Sequence, residues 1–348
     1  MDETKLMTFV GKAVGDLGAL VNGALVVIGD RLGLYRAMAG AGPVTAAELA
    51  GRTGTTERYV REWLSAQAAQ GYLEHAGGDR FELPDEHAVA LTDETSPACV
   101  VGGFELGLAS VHATDQLTEA FRTGAGMGWG QHHHDVFEGC ERFFRPGYRA
   151  SLVSTWLPAL DGVEAKLQAG ARVADVGCGY GASTILMAEA YPQSTFVGID
   201  PHPPSVEAAR AQAEVAGLGD RITFEVGTAK TFDGHFDLVC FFDSLHDMGD
   251  PVGACARVHD ALEPDGTLML VEPFAGDRVE DNLNPVGAAY YAFSTLLCTP
   301  NSLADEVGAA LGAQAGQARL AETVASGGFS SCTRVAETPF NIVLEARP

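Results

Sequence analysis

The run Val173-Ala-Asp-Val-Gly-Cys-Gly-Tyr-Gly181 constrains this chain more than any other stretch. Apolar residues of strand character end around Asp175. Glycines follow at alternate positions, 177, 179 and 181, and Ser183-Thr-Ile-Leu-Met-Ala188 then reads as a helix start. A strand, a tight glycine turn and a helix N-terminus in succession make a cradle for a ligand. Backbone can approach the bound group where a Cβ would clash, and the helix offers free N–H groups and a positive dipole end. Spacing selects the ligand. Dinucleotide folds use G-x-G-x-x-G around a pyrophosphate. Here the order is D-x-G-x-G-x-G, and a carboxylate just ahead of the first glycine opposes a diphosphate but suits a cation.

The sequence downstream keeps alternating strands with helices. Thr195-Phe-Val-Gly-Ile199 ends in Asp200, an acid able to accept both hydroxyls of a ribose. Ser205 is placed to cap a helix over 205–216. Ile222–Val226 leads into Gly227-Thr228-Ala229, and Phe236–Phe242 ends at Asp243. Thr267–Val271 follows the turn Glu263-Pro-Asp-Gly266 and precedes Glu272-Pro273, and Phe340–Glu345 closes the chain. The alternation predicts an open parallel α/β sheet.

Over roughly residues 150–348 these motifs resemble the class I S-adenosylmethionine (SAM) methyltransferases. The resemblance implies a Rossmann-like sheet with SAM as methyl donor and S-adenosylhomocysteine as product. It places Asp175, Gly177, Cys178, Gly179 and Gly181 around the methionine end and Asp200 with Pro201 at the ribose. Thr228 and Ala229 flank the adenine, and Asp243 and Tyr148 lie near the cofactor. The family often has Gly-Asp-Ala where this chain has Gly-Thr-Ala, so Thr228 departs from the usual adenine contact. Cys178 reads as a small filler within the glycine loop.

The chain has 348 residues, enough for two domains, and a formal net charge of −24 from 22 basic and 46 acidic residues. That balance repels nucleic acid and anionic membranes. The seven cysteines include no C-x-x-C pair and suit a reduced, cytoplasmic protein. No signal peptide is visible. The longest apolar run near the N-terminus, Leu17–Gly29, is shorter than the ~20 residues of a membrane span. Val10, Val14, Leu17, Val21, Leu25, Ile28 and Leu32 step by three or four, which predicts a helix buried in the core or against a second subunit.

Residues 33–92 carry a winged helix-turn-helix pattern. Thr45 and Glu48 have capping-box spacing, a second helix runs over 56–70, and 71–74 with 80–83 form a hairpin. Read as a DNA-binding module, 56–70 would be the recognition helix, but Arg58 and Arg61 are offset by Glu57 and Glu62. Plant-type small-molecule O-methyltransferases and a group of actinobacterial methyltransferases carry such a module before the SAM domain. That resemblance implies a role in dimerisation and in walling the substrate site. The expected domains are a helical winged-helix dimerisation domain over 1–100, a helical linker and lid over 101–150, and the SAM domain over 151–348.

Gly124-Ala-Gly-Met-Gly-Trp-Gly130 is too glycine-rich for regular structure and precedes His132-His-His134. Adjacent side chains diverge on a helix or strand, and no H-x₃-H spacing is present, so no metal is expected. A lid fits the segment, with Trp129 or His133 touching substrate. Methyl transfer is a displacement at carbon in which a protein mainly positions and desolvates. A hydroxyl acceptor also needs a base. Asp243-Ser-Leu-His-Asp-Met248 resembles the plant-type His-Asp-Trp segment, which makes His246 the candidate base and Glu272 the acid that orients it. A purely structural His246 stays open at this point. Residues 281–300 resemble the insertion that roofs the acceptor pocket, offering Asn284, Tyr290 and Tyr291. Two other functions remain: a SAM-responsive winged-helix regulator without catalysis, and a SAM-dependent enzyme that does not methylate.

Overall fold

A computed structural model describes all 348 residues. The chain divides into two compact units. One comprises Met1–Ala109 with Glu138–Gly147, the other Ser110–Phe137 with Tyr148–Pro348, so residues 101–150 are divided between the two units.

In the first unit, Thr45 and Glu48 complete the expected capping box, with each side chain bonded to the other's backbone (3.2 and 2.8 Å). β1 (Val44–Thr45) joins β2 (Glu74–Gly77) and β3 (Arg80–Glu82) in a small antiparallel wing of order β1-β3-β2. Leu34, Tyr35, Leu49, Val60, Trp63 and Leu64 make its core. Arg142, 16% exposed, bridges Asp30, Glu94 and Glu105, so the cation on an otherwise amphipathic helix is fixed by three carboxylates.

The N-terminal helix is Glu3–Arg31, longer than its apolar run suggested. By length and apolarity it is sufficient to cross a membrane. Only its C-terminal half packs into the unit, through Asn22, Gly23, Val26, Val27, Gly29 and Asp30. Gly29 is required there, because a Cβ would lie 2.6 Å from the Trp63 ring.

The second unit is built on seven strands: β4 (Arg172–Val176), β5 (Thr195–Asp200), β6 (Ile222–Val226), β7 (Phe236–Phe242), β8 (Leu262–Pro273), β9 (Ser331–Glu337) and β10 (Asn341–Arg347). Their order is β6-β5-β4-β7-β8-β10-β9. The first five are parallel, as the alternation predicted. The last two are antiparallel additions, because β10 pairs antiparallel with both β8 and β9. The turn 263–266 bulges out of one continuous strand, between the pairs Phe236–Leu262 and Leu238–Thr267, instead of preceding it. Val239, Phe241, Leu268, Leu270, Ile342 and Leu344 are all fully buried, as expected of central strands covered on both faces.

Candidate active site

The carboxyl ends of β4, β5, β6 and β7 surround a cavity of about 290 Å³ lined by Gly177, Pro201, Thr228 and Ala229, among others. This is where an open α/β sheet places its ligand. The three glycines divide the work. Gly177, Gly179 and Gly181 all have positive φ (79°, 52° and 80°). A Cβ on Gly177 would lie 2.7 Å from Ser244, and one on Gly181 would lie 2.6 Å from Phe224. At Gly179 a Cβ would meet nothing within 4 Å, so only this glycine faces open space.

Asp175 is fully buried. Its Oδ2 accepts from the Ser183 and Thr184 hydroxyls (2.6 Å each), while Oδ1 is buried with no partner. Burial pushes this carboxyl up to about 6. Ser183 and Thr184 were missed as site residues because they read only as a helix start. This carboxylate is wholly enclosed beside the glycine turn. Asp200 accepts from Gly179 N–H (2.9 Å) and His202 N–H (2.8 Å), one on each oxygen. Each oxygen keeps a lone pair for a ribose hydroxyl.

Cys178 is buried within the glycine loop. Its N–H is bonded to Ile199 O (3.1 Å), and its thiol packs where a Cβ on Gly198 would lie 3.0 Å away. It fills space in the loop. Thr228 lines the cavity, but its hydroxyl is paired with that of Thr231 (2.9 Å). Asp243 is partnered on both oxygens. Tyr148 donates to its Oδ2 (2.6 Å) and Asn341 to its Oδ1 (2.8 Å), which makes Tyr148 a support for the carboxylate. Asp243 has φ 49°, and burial pushes its carboxyl up to about 8. Asn341 had no sequence signal, since it opens an ordinary final strand.

His246 and Glu272 meet as expected. His246 Nδ1 donates to Glu272 Oε2 (2.6 Å), and Leu245 N–H donates to Glu272 Oε1 (3.0 Å). Both side chains are buried. Burial opposes the charged imidazole, but the Glu272 carboxylate and the neighbouring Cys298 hold its pKa well above the ordinary histidine value. Asp247 is half-buried, and burial pushes it up to about 7.

The acceptor-side expectations fare unevenly. Tyr290 is buried and donates to Phe340 O (3.0 Å), and Tyr291 is half-buried. Asn284 is exposed and caps the helix Pro285–Phe293 by accepting from Gly287 N–H (2.9 Å), so it does not reach a pocket. An Asn immediately before Pro at a helix start is a cap for ordinary local reasons. His133 stacks on His112 with ring centroids 4.7 Å apart and leaves 35% of its side chain exposed. The buried histidine is His132, which packs against Trp129. Because the run lies in a bend, the His133 and His134 rings do not diverge as on a helix. Their ligand atoms and that of Asp135 lie within 4.8 Å of one another, on the surface.

Residues 167–306 match a family described as a methyltransferase domain, and residues 21–93 match the Rv2258c-like winged HTH domain. The chain is a methyltransferase. It uses SAM, a ligand whose ribose hydroxyls the remaining lone pairs of Asp200 are able to accept. It is 28% identical over 68% of its length to the mitomycin biosynthesis 6-O-methyltransferase of Streptomyces lavendulae, covering 70% of that protein. The fold matches the mitomycin 7-O-methyltransferase MmcR (TM-score 0.69, 24% identity, 99% of this chain and 100% of that one). It also matches human N-acetylserotonin methyltransferase solved with SAM (TM-score 0.68, 17% identity, 100% of this chain and 98% of that one). The chain spans less than half the length of several other curated methyltransferases it matches.

Proposed function

We propose that this methyltransferase alkylates a hydroxyl of a small, mostly apolar acceptor, with His246 as general base and Glu272 orienting it. The observation that carries this reading is the buried His246–Glu272 pair at 2.6 Å, at the ends of β7 and β8. SAM, when bound, supplies a methyl group already activated on a sulfonium. The chain's part is position and proton management. Asp200 orients the ribose, and Asp175, enclosed by Ser183 and Thr184, holds the shape of the glycine turn at the methionine end. Glu272 accepts the Nδ1 proton of His246, and Nε2, which lies beside Cys298, is the nitrogen that takes the proton of the acceptor hydroxyl once the acceptor displaces that thiol contact. Tyr290 and Tyr291 supply aromatic wall on the acceptor side. The test is transfer of labelled methyl from SAM into a fractionated small-molecule extract, run beside His246→Ala. Label in filterable species, lost in the variant, supports the reading. Label retained by the variant removes the base.

A regulator reading is disfavoured by the winged-helix helix Glu57–Ala69. Its Arg58 and Arg61 are paired on the same helix with Glu62 and Glu57, which leaves no basic face for phosphate. We also propose that the N-terminal helix dimerises the protein in the cytoplasm. Met7, Phe9, Val14, Leu17, Leu20 and Val21 are each at least 60% exposed, an apolar face too long for a monomer surface. A second copy is preferred to a bilayer because the same helix continues into the packed core of a folded unit. Light scattering should give a dimer that Leu17→Glu splits. A monomeric wild type that floats with lipid vesicles would reverse this.

A further inference from the structure

The turn that carries His246 is held from one direction. Its four successive carbonyls, 246 to 249, each accept from residues 301–312. Gly312 N–H donates to His246 O (3.1 Å) and Ala309 N–H to Gly249 O (2.9 Å). Asn301 Nδ2 donates to Asp247 O (3.0 Å) and Ser302 Oγ to Met248 O (2.8 Å). This roof also holds the glycine-rich segment that the sequence suggested as a lid. Met127 N–H donates to Pro300 O (2.8 Å), and Trp129 N–H donates to Asn301 Oδ1 (2.9 Å). The approach is close enough that a Cβ on Gly126 would lie 2.0 Å from Ala304 N.

The far end of the lid reaches the cofactor cradle. Phe137 stacks on His202 with centroids 4.1 Å apart and planes 7° apart, and His202 N–H holds Asp200. Asn301 itself lines the cofactor cavity. One amide therefore touches the lid through its oxygen, the base turn through its nitrogen, and the cavity through its exposed edge. Both polar ends are committed in geometry that only an amide provides, since the oxygen must accept and the nitrogen must donate.

We infer that Asn301 is a positioning residue that links closure of residues 126–137 over SAM to the placement of the His246 turn. A bound cofactor orders the lid through Asp200, His202 and Phe137. The ordered lid fixes Asn301, and Asn301 fixes the carbonyl next to the base. By linkage, loosening the clasp weakens cofactor binding by the factor through which the cofactor tightens the clasp. This rests on the SAM-binding reading of Asp200, but it requires no particular acceptor and survives if the acceptor class proposed above is wrong.

The probe is S-adenosylhomocysteine, with its affinity measured by calorimetry and hydrogen exchange read on the wild type, Asn301→Ala, Asn301→Asp and Gly126→Ala. In the wild type the ligand should slow exchange in 126–137 and in 301–312 together. Asn301→Ala should bind it about tenfold more weakly and lose that joint protection. Asn301→Asp keeps an acceptor for Trp129 N–H but no donor for Asp247 O. It should retain lid protection, lose protection of the roof amides of 309–312, and lower kcat with little change in ligand affinity. Gly126→Ala pries the lid from Leu303 and Ala304 of the roof while keeping both Asn301 hydrogen-bonding groups, and should copy the affinity loss of Asn301→Ala. The inference is overturned if the ligand leaves 126–137 unprotected in the wild type. It is equally overturned if Asn301→Ala and Gly126→Ala bind and protect like the wild type. Methyl transfer by the wild type is scored separately, so failure of the acceptor reading cannot be mistaken for failure of the clasp.

Discussion

The cofactor cradle and the acceptor side of this site are built on different length scales. In the cradle, Asp175 is bonded to Ser183 and Thr184, and Asp200 to Gly179 and His202, all within neighbouring strand-turn-helix units. On the acceptor side, Tyr148 reaches Asp243 across 95 positions, Asn341 reaches it across 98, and Asn301 meets Trp129 across 172. A local cradle can be written as a short motif and assembled wherever the sheet forms. A side assembled from distant segments exists only once the whole unit is folded, and its segments can vary without rewriting the local motif of the cradle. That separation suits a fold that holds one cofactor constant while its acceptor varies.

The sharpest way to break this division is at the base. His246→Ala should lower kcat by about 10²- to 10⁴-fold and leave S-adenosylhomocysteine affinity unchanged. An equal loss in affinity would mean the halves are not separable at that residue. Glu272→Gln tests the same place through pH. The carboxylate holds the His246 pKa up, and the base works only when deprotonated, so the wild-type rate should climb into the alkaline range. Without the carboxylate the climb should begin at lower pH, with a lower plateau. A pH–rate profile unmoved by Glu272→Gln would separate Glu272 from the base.

The next effect down concerns the glycines, and it cuts within the cradle. Gly177→Ala must push against Ser244 at a positive φ and should cost the fold several kcal/mol. Gly179→Ala pays only the φ penalty, about 1–2 kcal/mol, but its new methyl points into open space where the cofactor belongs. Thermal melts should therefore rank Gly177→Ala as the less stable variant, and ligand titration should rank Gly179→Ala as the weaker binder relative to its stability. The reverse ranking would show that Gly179 is the structural glycine.

The same contrast explains what the sequence could reveal. The glycine turn, Asp200 and the capping box at Thr45 were legible because each is fixed by spacing along one or two elements, and the His246–Glu272 pair was legible through the resemblance to the plant-type segment. Asn301 and Asn341 were not, because an Asn near a helix start or a strand end is ordinary by itself and gains meaning only from a distant partner. Asn284 misled for the complementary reason. Its polarity among aromatics suggested a pocket, while the following Pro285 makes it a helix cap. The divergence argument for the His132–His134 run failed because it holds for regular structure and the run lies in a bend. The antiparallel placement of β10 could not be read from its own residues, which would suit either direction.

The smallest effect tests whether the acceptor wall carries a charge. Asp243 is pushed up to about 8, first by burial and then by Glu272, against the stabilising hydroxyl of Tyr148 and amide of Asn341. An unfolded aspartate titrates near about 3.9. Between those values the native state holds a proton that the unfolded chain has released, so this group's contribution is fully present below about pH 4 and declines as pH rises toward 8. Asp243→Asn isolates it cleanly. Asn tolerates the φ of 49° at this position and does not titrate, although it can accept from only one of the two donors. Denaturant unfolding should find the variant less stable than the wild type at pH 5, with the gap shrinking by pH 8 to 9. A gap constant across that range would mean that Asp243 is ionised throughout. The wall beside His246 would then carry a negative charge at neutral pH, and acceptors bearing carboxylates or phosphates would be repelled rather than merely unassisted.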